Sequence, residues 1–249
     1  MLAVGTHVTV VAIAKWFTDS TNWHGTDGIP HRLAEHLSIC GLSLLVALAV
    51  SLPIGITLGH LRKAGTIAEN IANLGRAVPS LAILIVAVPI VGIGARPAEL
   101  ALVALSIPPL LTNAYVGMAG VDEDVRDAAR GLGMTGWQAA WRAELPLALP
   151  FILAGVRTAA FQVVATATLA AVVAYGGLGR YIIDGLAVRD NVEVVCGSIL
   201  VVGLAVAVEI AIAGLQRMIV AAPLRHPNRS TTVNEPEELT DATVIDHAA

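Results

Sequence analysis

The chain has 249 residues, of which 56% are hydrophobic and 14% charged, and its mean hydropathy is +0.75. So apolar a balance excludes an ordinary soluble domain and places the chain in a bilayer. The net charge of -4 does not point to nucleic acid or acidic partners, because five acids, Glu235, Glu237, Glu238, Asp241 and Asp246, belong to the terminal tail.

The first residues, MLAVGTHVTVVAIAKWF, have the length of a signal peptide and an "AIA" resembling a cleavage site, but no basic start. Residues 1–31 are therefore expected to lie uncleaved at the membrane surface. Trp16, Phe17 and Trp23 around Lys15 suit the headgroup region.

A spanning helix needs about 20 mostly apolar residues. Five stretches qualify in a membrane domain over 32–222: Leu37 to Leu58, Ala77 to Ala95, Leu100 to Val121, Leu147 to Ala174 and Val194 to Leu215. Alternation with period two is nowhere sustained, so strands are not expected. Cys40 and Cys196 fall inside these apolar runs and read as small buried hydrophobes, and the nearest histidines, His31 and His36, are five apart. No metal site is expected. Residues 223–249 turn polar and acidic and are expected to be a disordered tail.

Alternate loops divide the basic residues. Arg62, Lys63, Arg76, Arg126, Arg130, Arg142, Arg217, Arg225 and Arg229 fall on one side, and Lys15, Arg32, Arg96, Arg180 and Arg189 on the other. The first set marks the cytoplasm, which puts residues 122–146 and the C-terminus inside the cell.

Prolines 53, 79, 89, 108, 109 and 150 fall within the spans, where kinks or short unwound segments are expected. Arg157 and Glu209 lie well inside the fourth and fifth spans. An unpaired charge there is expensive, so the two are expected to approach each other or to share a wet interior. Between these spans, Gly176, Gly177 and Gly179 permit tight turns, and with Tyr181 they form a candidate gate over the pore. A plain connecting loop is the competing reading.

The interval 122–146 is unusually polar for this chain and reads as helix, turn, helix. Good helix formers run from Asp124 to Arg130, GLGMTG breaks them, and Thr135 with Gln138 makes a capping box for a short helix through Trp141. Leu145-Pro146 is expected to end the segment. Residues 131 to 136 also match G-x-G-x-x-G, but a helix precedes them where phosphate binding requires a strand. Trp137 and Trp141, four apart, share one face, suited to a groove in a partner protein or to lipid headgroups.

These residues resemble the coupling loop of importer-type ABC transporter permeases, whose pattern is E-A-A, three residues, Gly, nine residues, then I-x-L-P. Asp127-Ala128-Ala129, Gly133 and Leu145-Pro146 match; Asp127 replaces the usual Glu and Ala143 the usual Ile. RAVPSLAILIVAVPIVGIG, ELPLALPFILAGVRTA and ATATLAAVVAYGGLG look like permeases of the glycine betaine, choline, carnitine and proline (osmoprotectant) group.

The resemblance implies an all-α integral membrane protein with the five-span core of the type I ABC importer permease fold and a cytoplasmic coupling helix. It implies as partners cytoplasmic ATPase subunits, a second permease subunit, identical or related, and an extracytoplasmic solute-binding protein, in a bacterial cytoplasmic membrane. The coupling residues would be Asp127, Ala128, Ala129, Gly133, Thr135, Trp137, Trp141, Leu145 and Pro146. No cofactor is expected on this chain: its only lysines, Lys15 and Lys63, stand outside any phosphate-binding loop, so ATP-Mg belongs to the partner ATPase. Four Trp, three Tyr and three Phe are few for an aromatic cage, so solute selection is expected mostly in the binding protein. No Ser/His or paired-Asp arrangement suggests an intramembrane enzyme. The competing classes are a permease for another small solute and a secondary transporter using Arg157 and Glu209, which leaves the polar hairpin unexplained.

Overall fold

A nine-residue helix, α1 (Val10–Thr18), comes first in the computed structural model, which describes residues 8–63, 65–66, 70–71, 73 and 79–221. The Thr9 hydroxyl caps it, accepting from the Ala12 amide at 3.2 Å. At about 1.5 Å per residue it is too short to cross a bilayer. Trp16 packs edge-on against both Phe17 and Tyr181, so these rings seat α1 against the short helix Gly179–Val188 that carries Tyr181, beside buried Ile29, Leu178 and Val201. The tail expected to be disordered lies outside the described residues.

The longer helices are α2 (Ile29–His60), α4 (Ala95–Ala119), α7 (Leu145–Thr166) and α9 (Asn191–Ala221). Between them stand the shorter α3 (Ser80–Val91), α5 (Glu123–Gly131), α6 (Gly136–Ala139) and α8 (Gly179–Val188). Among the described residues there is no strand. Among the described residues four helical runs, those of α2, α4, Gly136–Val173 and α9, are long and apolar enough to span. The second expected span differs. Ala77 and Val78 lie outside the described residues, Pro79 caps the helix, and Gly92, with φ at 87°, stops it after 12 residues. That is about 18 Å, short of a hydrocarbon core of about 30 Å. Ala95, expected at its end, instead begins α4.

Apart from Pro79, the prolines do not break the spans. Pro53, Pro89, Pro108, Pro109 and Pro150 all sit inside helices that continue past them. Side chains supplement the backbone nearby: Thr57 donates to the Pro53 carbonyl at 2.7 Å and Asn113 to that of Pro109 at 2.8 Å. Departures from α geometry occur elsewhere, in a π-helical turn at Ala140–Glu144 and a 3-10 stretch at Ala167–Val173. The first of these carries α6 directly into α7, so Leu145-Pro146 continues the helix where a stop was expected; Pro146, which has no amide hydrogen to donate, follows directly on this widened turn.

Helix α4 is the centre of the bundle, with α2 and α7 against it. Close approach rests on small residues, as it must where hydrophobicity does not drive helices together. A Cβ on Gly59 of α2 would stand 2.7 Å from the Tyr115 carbonyl oxygen, and one on Gly155 of α7 would stand 2.9 Å from that of Pro109. Ala47, Leu110 and Ala159 meet in the middle of this packing, and Ala114, Met118, Ala140 and Ala148 at one end. Cys40 and Cys196 are buried and unpaired.

Candidate functional site

The polar interval folds as its residue types dictate. Asp122 caps α5, accepting from the Asp124 amide at 3.1 Å, with Glu123 and Asp124 in the positive first turn and Arg130 in the last. Gly133, at φ 78°, supplies the left-handed residue that turns the chain, and the Met134 amide closes back on the Ala129 carbonyl at 3.1 Å. The capping box is present: the Thr135 amide donates to Gln138 Oε1 at 2.9 Å, and the Gln138 amide to Thr135 Oγ1 at 3.4 Å.

Asp127 is exposed and accepts from Arg130 at 2.7 Å, Ala128 is exposed, and Ala129 is buried. Leu132 at the turn is 78% exposed. Trp137 and Trp141 stack edge-on, with ring centroids 5.6 Å apart. They line an apolar groove of about 450 Å³ with Pro53, Ile56, Leu145 and Ile152. Their shared face therefore borders apolar side chains of α2 and α7.

Sequence reasoning missed the clamp under this loop. Arg126, 5% exposed, donates to the carbonyls of His60 at 3.1 Å and Met118 at 2.7 Å, and pairs with Glu144 at 3.0 Å. Glu144, 1% exposed, also meets His60 Nδ1 at 2.9 Å. Three side chains thus tie α5 and the π-helical turn to the ends of α2 and α4. Arg62 adds an outer strut, pairing with Glu123 and donating to the Val121 carbonyl at 2.7 Å. The density of charge in 122–146 was the signal; the partner His60 carried none.

Arg157 and Glu209 meet as expected, with Arg157 Nε donating to Glu209 Oε1 at 2.6 Å across α7 and α9. They line an open cleft of about 550 Å³ with Thr158, Phe161, Gln162 and Gln216.

The glycine-rich loop lies at the opposite end from the clamp. The Gly177 amide, at φ 87°, donates to Glu35 Oε2 at 2.8 Å, and a Cβ on Gly176 would stand 2.0 Å from the same carboxylate oxygen. Gly179 lies so close to Thr168 that a Cβ would stand 2.2 Å from its carbonyl oxygen. Tyr181 donates to the Asp27 carbonyl at 2.6 Å, and burial pushes its phenol up to about 12, which keeps the donor proton in place. Gly176 and Gly177 are thus held on Glu35 of α2, Gly179 on Thr168 near the start of the 3-10 stretch, and Tyr181 on Asp27 just before α2. Among the described residues no cluster of His, Cys, Asp or Glu is arranged to hold a metal.

A family model for the binding-protein-dependent transport system inner membrane component matches residues 51–224. The chain belongs to this family. It is similar to other such components: it is 34% identical over 189 residues to the glycine betaine/carnitine/choline transport system permease protein OpuCB of Bacillus subtilis, covering 76% of this chain and 87% of that one. It is 36% identical over 191 residues to the carnitine transport permease protein OpuCB of Listeria monocytogenes, covering 77% and 88%. It is 37% identical over 167 residues to the osmoprotectant import permease protein OsmY of Salmonella typhimurium, covering 66% and 70%. The resemblance to osmoprotectant importer permeases therefore holds. A solved structure titled as an inward-facing conformation of the MetNI methionine ABC transporter aligns with TM-score 0.66 at 20% identity, over 74% of this chain and 93% of that one. The inner membrane component thus has the helical fold of an ABC importer permease.

Proposed function

We propose that this chain is the membrane-spanning permease of an ATP-driven importer that moves glycine betaine, choline, carnitine or proline-type compatible solutes into the cell. The solute class is supported by kinship with permeases of that description. The coupling role rests on one observation above all: an exposed loop carrying the Asp127-Ala128-Ala129 and Gly133 pattern is tied by buried Arg126 and Glu144 to two spans.

The loop faces the cytoplasm and is gripped by an ATPase subunit at the α5 to α6 turn, where Asp127, Ala128, Leu132 and Gly133 are exposed. Binding of ATP-Mg in the ATPase pair closes it and moves the turn. The clamp passes that movement to α2 and α4, and the continuous helix from Gly136 passes it to α7. A second permease, identical or related, completes the pore, and the subunits rock between inward-facing and outward-facing packings. A solute-binding protein outside the cell delivers the solute, and Gly176, Gly177, Gly179 and Tyr181 gate its entry.

Co-expression with its ATPase and binding protein in vesicles tests this. Uptake of radiolabelled glycine betaine is expected only with ATP and only with the ATPase present. Uptake by the purified chain without an ATPase, or labelling of a cysteine at Leu132 solely from outside, overturns the proposal.

A further inference from the structure

The Arg157 and Glu209 pair sits at an unusual depth for groups so open. At about 1.5 Å per residue, Arg157 lies roughly 18 Å along α7 from Leu145 and Glu209 roughly 12 Å back along α9 from Arg217, both inside a core about 30 Å thick. Yet their side chains keep 42% and 31% of their surface exposed in the cleft. Acyl chains solvate such surface poorly, which favours water or polar matter in the cleft. Thr158 and Phe161 are exposed along the same wall. The side-chain oxygen of Gln162 is out of solvent with no hydrogen-bond partner among the described residues. A volume of about 550 Å³ falls in the range that holds small molecules.

We propose that this cleft is a transit site for a zwitterionic solute, its carboxylate on Arg157 and its substituted ammonium between Glu209 and the face of Phe161. The solute brings one charge of each sign, so it can part the ion pair and leave neither side chain bare. A single aromatic face supplies weak attraction for the cation, which suits a site that must release what it receives. The inference rests on the reading of the chain as an osmoprotectant permease.

The test uses Thr158→Cys in the complete transporter, with its ATPase and binding protein, in vesicles. Thr158 is exposed beside the pair, whereas the native Cys40 and Cys196 are buried and give little background. A charged, water-soluble thiol reagent is expected to label the new cysteine, and saturating glycine betaine to slow that labelling at least threefold, with choline, which lacks the carboxylate, slowing it less. Phe161→Leu, which leaves the pair intact, is expected to raise the half-protecting concentration of glycine betaine about two- to fivefold. No labelling, as when a second subunit or lipid covers a dry face, overturns the inference, as does labelling that glycine betaine leaves unchanged. Failure of the unlabelled transporter to take up glycine betaine overturns the functional reading itself; uptake without protection overturns only the transit site.

Discussion

Arg126 meets Glu144 at 3.0 Å across the base of the polar loop, and both side chains are almost entirely withdrawn from solvent. Neither charge has another opposite charge as well placed, apart from His60 beside Glu144. Removing one partner leaves a buried charge uncompensated, which costs about 3–5 kcal/mol, while replacing both with apolar groups costs far less. Arg126→Met and Glu144→Leu are each expected to lower the melting temperature of the purified complex markedly, and the double variant to recover much of the loss. Additive losses in the double variant count against the clamp.

Gly133 has open space around it, with nothing within 4 Å of where a Cβ would stand, so its requirement is one of backbone alone. A β-branched side chain at φ 78° is strained by about 1–2 kcal/mol. Gly133→Val is expected to leave membrane insertion intact while lowering solute taken up per ATP hydrolysed, and Gly133→Asn, which tolerates the left-handed region, to retain most of it. An unchanged ratio in the valine variant sinks the coupling role of the turn.

Arg157 and Glu209 form a mutual pair, so their substitutions should not add. Glu209→Gln alone is expected to reduce assembled transporter more than Glu209→Gln combined with Arg157→Gln, read as the yield of permease recovered with its ATPase. Equal damage in the two cases rejects the pairing as a determinant of assembly.

Glu35 holds the glycine-rich loop by accepting from Gly177 while pairing with Arg32 at 2.9 Å. If this contact latches a gate, Glu35→Gln weakens the latch and raises leakage of preloaded solute from vesicles without ATP. Leakage equal to that of the unaltered protein identifies residues 176–181 as a plain connection. Gly179→Ala tests the packing separately: the obstacle there is a backbone carbonyl oxygen, which cannot rotate away, so a fall in melting temperature of several degrees is expected.

What the residues disclosed in advance follows the range of the interactions. The capping box of Thr135 and Gln138, the turn at Gly133 and the apolar helices are local, and local chemistry predicts them. The meeting of Arg157 with Glu209 was legible because charge inside a membrane has few alternatives. The clamp was not, because His60 sits at the end of an apolar run and nothing near it in the chain hints at Glu144. The prolines misled because the helices around them continue to pair, whereas the 3-10 stretch at Ala167–Val173 contains no Gly or Pro to announce it. The second span ran short because Pro79 and Gly92 bound it more tightly than its apolar length suggested.

Helix α7 lies between two stretches of unequal pitch, a wide turn at Ala140–Glu144 and a tight, elongated one at Ala167–Val173. A 3-10 residue rises about 2.0 Å and an α residue about 1.5 Å, so relaxing the seven residues of the far stretch to α geometry would shorten the rod by about 3.5 Å. Such a change of pitch would move the far tip of the rod along its axis without a hinge.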